Sequence, residues 1–224
     1  MYSIYNKKWD YAYLLSNRVA TNTQRRFYAE IHRDEFTEEE YRLLESTSSF
    51  NPELSHKFPK YEGGNCKKIF LSRNPYTRSL SIYSLYIDRT SHYSDGIKTQ
   101  SEDFYNKNKD TDFLTFLKYV NTERIWDTHI FPQSYDYEKY CNNITLGKLE
   151  YPKETLYDFY ESIEGFDMNK VKKSFNNIFS VKLFKSNLEL KIQHLLTDEI
   201  ESYIYNFYKK DFHLFGYERY NFVD

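Results

Sequence analysis

The sequence predicts an α/β fold whose mostly parallel sheet carries helices on both faces, three layers in αβα order. Three observations lead there. Short apolar runs of strand length alternate along the chain with longer stretches of helical character. Two of those runs, at 11–17 and 67–73, lead straight toward helix starts. No Pro/Gly/Ser-rich linker or internal repeat divides the chain, which has only 6 Gly and 5 Pro in 224 residues. That length suits one sizeable core, so a single domain over 1–224 is expected.

Taken in order, "YAYLLSN" (11–17) is an apolar-aromatic run bounded by polar residues and reads as a buried strand. "TNTQRRFYAEIHR" (21–33) follows as a helix, and "TEEEYRLLEST" (37–47) as a second, with Thr37 and Glu40 at capping-box spacing. Residues 48–66 read as an irregular or partly helical connection. "KKIFLSR" (67–73) is the next strand and "PYTRSLSIYSLYIDR" (75–89) its helix, with Asn74 as N-cap and Pro75 at the first helical position. The stretch 88–112 is expected to be a long loop. A helix near 111–122 comes next, then an irregular segment containing "DTHIFPQ". A strand at 144–150, a helix near 153–163, a strand at 178–184 and a helix at 198–210 complete the alternation. In such sheets ligands sit beyond the carboxyl ends of the strands.

Composition narrows the function classes. The formal charge is −2 and the pI near 6.3, so no global basic field draws the chain to nucleic acid, and anion binding must be local. Arg18, Arg25, Arg26 and Arg33 form one basic cluster, which read alone is a solvated helix face. Cys66 and Cys141 support neither a disulfide framework nor a metal site, and no metal is expected. The N-terminus lacks signal-peptide character and no membrane-length apolar run occurs, so a soluble, cytoplasmic protein is expected. Tyr and Phe number 24 and 18, a bias spread over the whole chain that points to no site.

The chemistry gathers at the two strand-to-helix turns. A helix start carries unpaired N–H groups and partial positive charge, which suits phosphate. Arg18 lies in the first turn with Val19, Ala20, Thr21, Asn22 and Thr23, a cradle of backbone and side-chain groups. Arg73 lies in the second, and Arg78 and Ser81 share a face of its helix, so a guanidinium and a hydroxyl can meet the same anion. One ligand with two phosphate-type groups accounts for both turns. A P-loop phosphotransferase is the competing enzyme class, but it predicts G-x-x-x-x-G-K-[ST], a run missing from the sequence.

"FLSRNPYTRSLSIY" resembles the Arg-[Asp/Asn/Glu]-Pro-Phe/Tyr-x-Arg-x-x-Ser signature of sulfotransferases that use 3′-phosphoadenosine-5′-phosphosulfate (PAPS), specifically the carbohydrate sulfotransferase-like group, sulfotransferase family 2. "SNRVATNTQRR" is similar to that family's loop around the 5′-phosphosulfate. "DTHIFPQSYDYEKYC" with "LGKLE" is similar to its His-x-x-Pro-Gln segment and the Gly-Lys-x-Glu strand after it, and "YNFYKKDFHLFGY" to its Tyr-x-x-Asp-Phe-x-x-Phe-x-Tyr ending. The four segments keep the family order over residues 18–217. The resemblance implies the P-loop-nucleotide-hydrolase-like sulfotransferase fold, PAPS as donor and 3′-phosphoadenosine-5′-phosphate (PAP) as product. It assigns Arg73 and Ser81 to the 3′-phosphate, with Arg78 beside them, and Arg18 with residues 19–23 to the 5′-phosphosulfate.

Arg18 stands where the family has lysine. It keeps the positive charge and two-pronged contact but hardly ever gives up a proton, so it acts through electrostatics. A donor-binding relative without turnover is the alternative this departure leaves open. The acceptor hydroxyl needs a base, and histidine suits that task. His129, in the His-x-x-Pro-Gln segment, is the first choice and His56 the second. The resemblance implies a carbohydrate or another hydroxyl-bearing acceptor and leaves the oligomeric state open.

Overall fold

The computed structural model describes residues 2–16, 19–46, 59–87, 111–122, 129–179, 192 and 194–220. Two compact units are formed, Met1–Ser72 with Asp136–Phe184 and Arg73–Tyr135 with Lys185–Asp224. The fold class is α/β, with a mostly parallel four-stranded sheet flanked by helices.

The sheet belongs to the first unit. Its strands are β1 (Tyr2–Asn6), β2 (Tyr11–Leu15), β3 (Lys67–Ser72) and β4 (Ile144–Lys148), in the order β1-β2-β3-β4. β2 and β3 pair in parallel with Tyr13 opposite Ile69, and β3 and β4 likewise with Phe70 opposite Leu146. β1, not anticipated from sequence, pairs antiparallel with β2 through a turn at residues 7–10. Asp10 takes a left-handed φ of 46° there, which a short polar side chain tolerates, and accepts a 2.8 Å hydrogen bond from the Tyr5 hydroxyl.

Because side chains alternate along a strand, Tyr11, Tyr13, Leu15, Ile69 and Leu71 line one face. They share a core with helices α1 (Thr21–Ile31), α6 (Pro152–Glu161) and α7 (Met168–Ile178), through Phe27, Leu156, Phe159 and Val171 among others. The aromatic excess is spent largely on such packing: Tyr11 meets Phe159 edge-on at 5.5 Å and Tyr160 at 5.6 Å. Buried Tyr11 needs a partner for its hydroxyl and finds His32 Nε2 at 2.6 Å, whose Nδ1 faces Glu35 at 3.1 Å. That hydrogen bond holds the Glu35 carboxyl below its ordinary range. α2 (Glu38–Ser46) has the expected capping box, with the Thr37 N–H donating to Glu40 Oε2 at 2.7 Å and the Glu40 N–H to Thr37 Oγ1 at 3.2 Å.

Two expectations change in this unit. α7, capped by Asp167, ends at Ile178, so the strand expected over 178–184 does not begin there; residues 180–184 lie outside the described residues. The basic cluster is no uniform solvated face either. Arg25 is buried, Arg26 is exposed, and Arg33 pairs with Glu38 and lies over the Tyr41 ring. Arg18 lies outside the described residues.

Gly147 in β4 answers to packing. A Cβ there would lie 2.4 to 2.7 Å from the side-chain atoms of Thr155 on α6, so only glycine lets helix and strand approach. Gly147→Ala is expected to destabilise the fold by about 1–3 kcal/mol through overpacking. Urea denaturation checks this, the transition midpoint falling at unchanged slope.

The second unit holds α3 (Pro75–Ile87), α4 (Phe113–Thr122), α8 (Asp198–Phe207), α9 (Lys209–Phe215) and the start of α5 (Gln133–Glu138). Tyr76, Leu80, Phe116, Val120, Ile200, Ile204 and Phe212 are in its core. The single helix expected over 198–210 is two, broken at Tyr208. Tyr76 donates its hydroxyl to buried Glu201 at 2.5 Å, and Arg219 pairs with the same carboxylate. Burial alone would raise the Glu201 carboxyl, but the bonds from Arg219 and Tyr76 bring it below its ordinary range.

Candidate donor-binding site

The first turn leaves β2 at Ser16, a buried residue whose hydroxyl donates to Asp136 Oδ2 at 3.1 Å. It reaches α1 through Val19, fully buried, and Ala20, whose φ of 47° is left-handed. A left-handed alanine costs about 1–2 kcal/mol and persists only where its surroundings fix it. Here the Gln24 N–H donates to Ala20 O at 3.0 Å, Gln24 Nε2 to Val19 O, and Thr21 Oγ1 to Ser16 O at 3.0 Å. α1 has no side-chain cap and no acidic residue in its first turn. The N–H groups of residues 21–23 precede the first intrahelical bond, so they have no acceptor within the helix. The result is a helix start with positive partial charge, fitted to an anion.

The second turn is built differently. Asn74 caps α3 by accepting the Tyr76 N–H on Oδ1 at 2.9 Å, and its carbonyl accepts the Arg78 N–H at 2.9 Å. Pro75 has no N–H to offer. An anion at this helix start therefore meets side chains more than backbone donors, unlike the row of unpaired N–H groups expected from the sequence. Arg73, half-buried, supplies the first: its Nε donates to Thr77 Oγ1 at 3.2 Å, and that hydroxyl donates to Asn74 O at 3.1 Å. Ser81 is buried at 9 % exposure, two turns along α3.

Arg78 has a structural task that the sequence does not reveal. It is 1 % exposed, and Nη2 donates to the carbonyls of His129 at 3.0 Å and Phe131 at 2.8 Å. Stripping the donor from part-buried carbonyls such as these costs up to about 1–3 kcal/mol each, so Nη2 of Arg78 has a structural role here. In this structure Arg78 holds up the segment that carries His129.

That segment is held at further backbone groups. The Tyr208 hydroxyl donates to Ile130 O at 2.8 Å, and burial pushes that hydroxyl up to about 12, so it stays a donor. Asp211, fully buried, accepts the Gln133 N–H on Oδ2 and the Ser134 N–H on Oδ1, both at 2.8 Å. Gln133 turns its amide onto the main chain of Arg73, accepting its N–H on Oε1 at 2.8 Å and donating from Nε2 to its carbonyl at 2.7 Å. His129 itself is half-buried in a turn just before α5. The second-choice base, His56, lies outside the described residues, as does the expected loop between 88 and 110.

The sulfotransferase family's sequence model matches residues 9–218. The chain belongs to the sulfotransferase family. No curated protein and no solved structure matches it significantly. The match spans the turn into α1, the signature on α3, the 129–134 segment and the chain ending, the four places where the resemblance was drawn. Family membership makes the protein a sulfotransferase, an enzyme that calls for a hydroxyl-bearing acceptor.

Within this sulfotransferase the second unit brings together Arg73 with residues 129–134 and 208–211, three segments far apart in sequence. Residues 19–23 and Ser16 belong to the first unit. Asp136, Gln133, Tyr208 and Asp211 are not among the residues that the sequence singles out for the site. A signal for Asp211 was present: it is four residues before Phe215 and beside Phe212, on the apolar face of its helix, where a carboxylate needs partners. Among the described residues no helix is long and apolar enough to cross a membrane, and no cluster of three or more His, Cys, Asp or Glu is gathered.

Proposed function

We propose that this sulfotransferase moves a sulfuryl group from PAPS to a hydroxyl on a carbohydrate. The observation that carries the reading is Arg73: it follows β3 directly in the family's signature and is held at both its backbone and its guanidinium. Arg73 and Ser81 take the 3′-phosphate. The α1 start, with Thr21, Asn22 and Thr23, takes the 5′-phosphosulfate together with Arg18. Arg78 positions the 129–131 turn through Nη2 and stands beside Arg73 and Ser81 for the 3′-phosphate. The match across both units supports treating them as parts of one sulfotransferase domain.

PAPS supplies an activated sulfuryl group on its 5′-phosphate. The acceptor oxygen gives its proton to the His129 imidazole and bonds to sulfur as the sulfur–phosphate oxygen bond breaks. PAP leaves with the new negative charge on its 5′-phosphate, where the N–H groups of residues 21–23 and Arg18 stabilise it. With little covalent work for the protein, in-line positioning and fixed positive charge do most of the catalysis.

Calorimetric titration with PAP and with ATP tests donor choice, and transfer of labelled sulfate from PAPS to a glycan panel tests the reaction. Binding of PAP in preference to ATP, with label appearing on a glycan, is the expected outcome. PAP binding with no transfer to any acceptor would favour the donor-binding relative that Arg18 leaves open.

A further inference from the structure

We infer that Gln133, itself held by Asp211, is the residue that positions Arg73 for the donor's 3′-phosphate. The inference rests on the donor site proposed above and names a residue that acts through it.

The geometry is specific to this task. A primary amide has one acceptor and one donor side, and Gln133 uses both on a single residue, the N–H and the C=O of Arg73. Arg73 is the first residue after β3, where the sheet's ladder no longer fixes the backbone, and the Gln133 amide stands in for a neighbouring strand. With the main chain so held, Nε meets Thr77 Oγ1 and the plane of the guanidinium follows. Gln133 is fully buried. Its backbone N–H is anchored on Asp211 Oδ2, the same carboxylate whose Oδ1 takes the Ser134 N–H, so the base of the side chain is as fixed as its tip. A buried carboxylate accepting two main-chain N–H bonds, with the Gln133 Nε2 at 3.5 Å besides, makes a stiff post, since a lost partner would leave charge uncompensated. Glutamate at 133 would accept from the Arg73 N–H but lose the donor to its carbonyl, and would set a second carboxylate beside Asp211.

Three chains test this: wild type, Gln133→Met, which keeps length and packing without the amide, and Asp211→Asn. The probes are PAP and 5′-AMP, which lacks the 3′-phosphate. Each is titrated calorimetrically with the full-length protein, and melting curves confirm folding. Gln133→Met is expected to weaken PAP about tenfold while leaving 5′-AMP binding unchanged. In an Arg73→Ala background the same substitution should add almost nothing, because its effect runs through Arg73. Equal weakening of both nucleotides, or additive losses in the Arg73→Ala background, would overturn the inference and leave the donor site standing. If wild type binds neither nucleotide, the donor site fails, and the inference with it. Should Gln133→Met not fold, Asp211→Asn carries the same comparison, because it loosens Gln133 without adding negative charge near the phosphate. Asp211→Asn should reproduce the selective loss of PAP affinity more mildly, since it keeps one acceptor oxygen.

Discussion

Arg73→Ala is expected to weaken PAP binding about 100-fold. Two charge-assisted hydrogen bonds from a guanidinium to phosphate are worth about 3 kcal/mol, and each 1.4 kcal/mol or so is tenfold in affinity. The loss should be selective, because Arg73 is half-buried at a helix start where Pro75 has no N–H and Asn74 caps the Tyr76 N–H, which leaves little backbone replacement for the guanidinium. Arg73→Lys should fall between: it keeps charge but loses the fork and the Nε contact with Thr77. Calorimetric titration of PAP against both variants gives the comparison. Equal affinity in wild type and Arg73→Ala would remove the 3′-phosphate from this turn.

His129→Ala is expected to lower kcat by about 10² to 10⁴ while leaving PAP affinity intact, the range for loss of a positioned general base. The variant is a clean one. Arg78 bonds to the main-chain oxygen of His129, which alanine retains, so the segment keeps its support from Arg78, Tyr208 and Asp211. Turnover with saturating PAPS and labelled acceptor measures the drop. If turnover survives in His129→Ala and vanishes in His56→Ala, the base is His56 and the role assigned to His129 is wrong.

Much of the frame was legible in the sequence because local chemistry decides it. The apolar runs at 11–15 and 67–72 have no other place than a buried sheet, and Thr37 with Glu40, or Asn74 with Pro75, specify helix starts within a few residues. What escaped was decided by distant partners. β1 is a short segment given strand form by pairing with β2. Tyr208 interrupts a helix whose apolar period runs on through it. Arg78 and Ser81 do share a region of α3, but which way a long guanidinium turns depends on carbonyls 51 and 53 residues downstream. The links from Asp211 to Gln133 and from Gln133 to Arg73 join three segments that sequence order keeps apart. Spacing along the chain reveals which residues carry charge, and only the folded unit reveals what each is bonded to.

Crystals of the protein grown with PAP test the central claim most directly. The account predicts the 3′-phosphate within hydrogen-bond distance of the Arg73 guanidinium and the Ser81 hydroxyl, with Gln133 still bonded to the Arg73 main chain. A nucleotide seated with its 3′-phosphate on other side chains, and Arg73 making no contact with it, would contradict it.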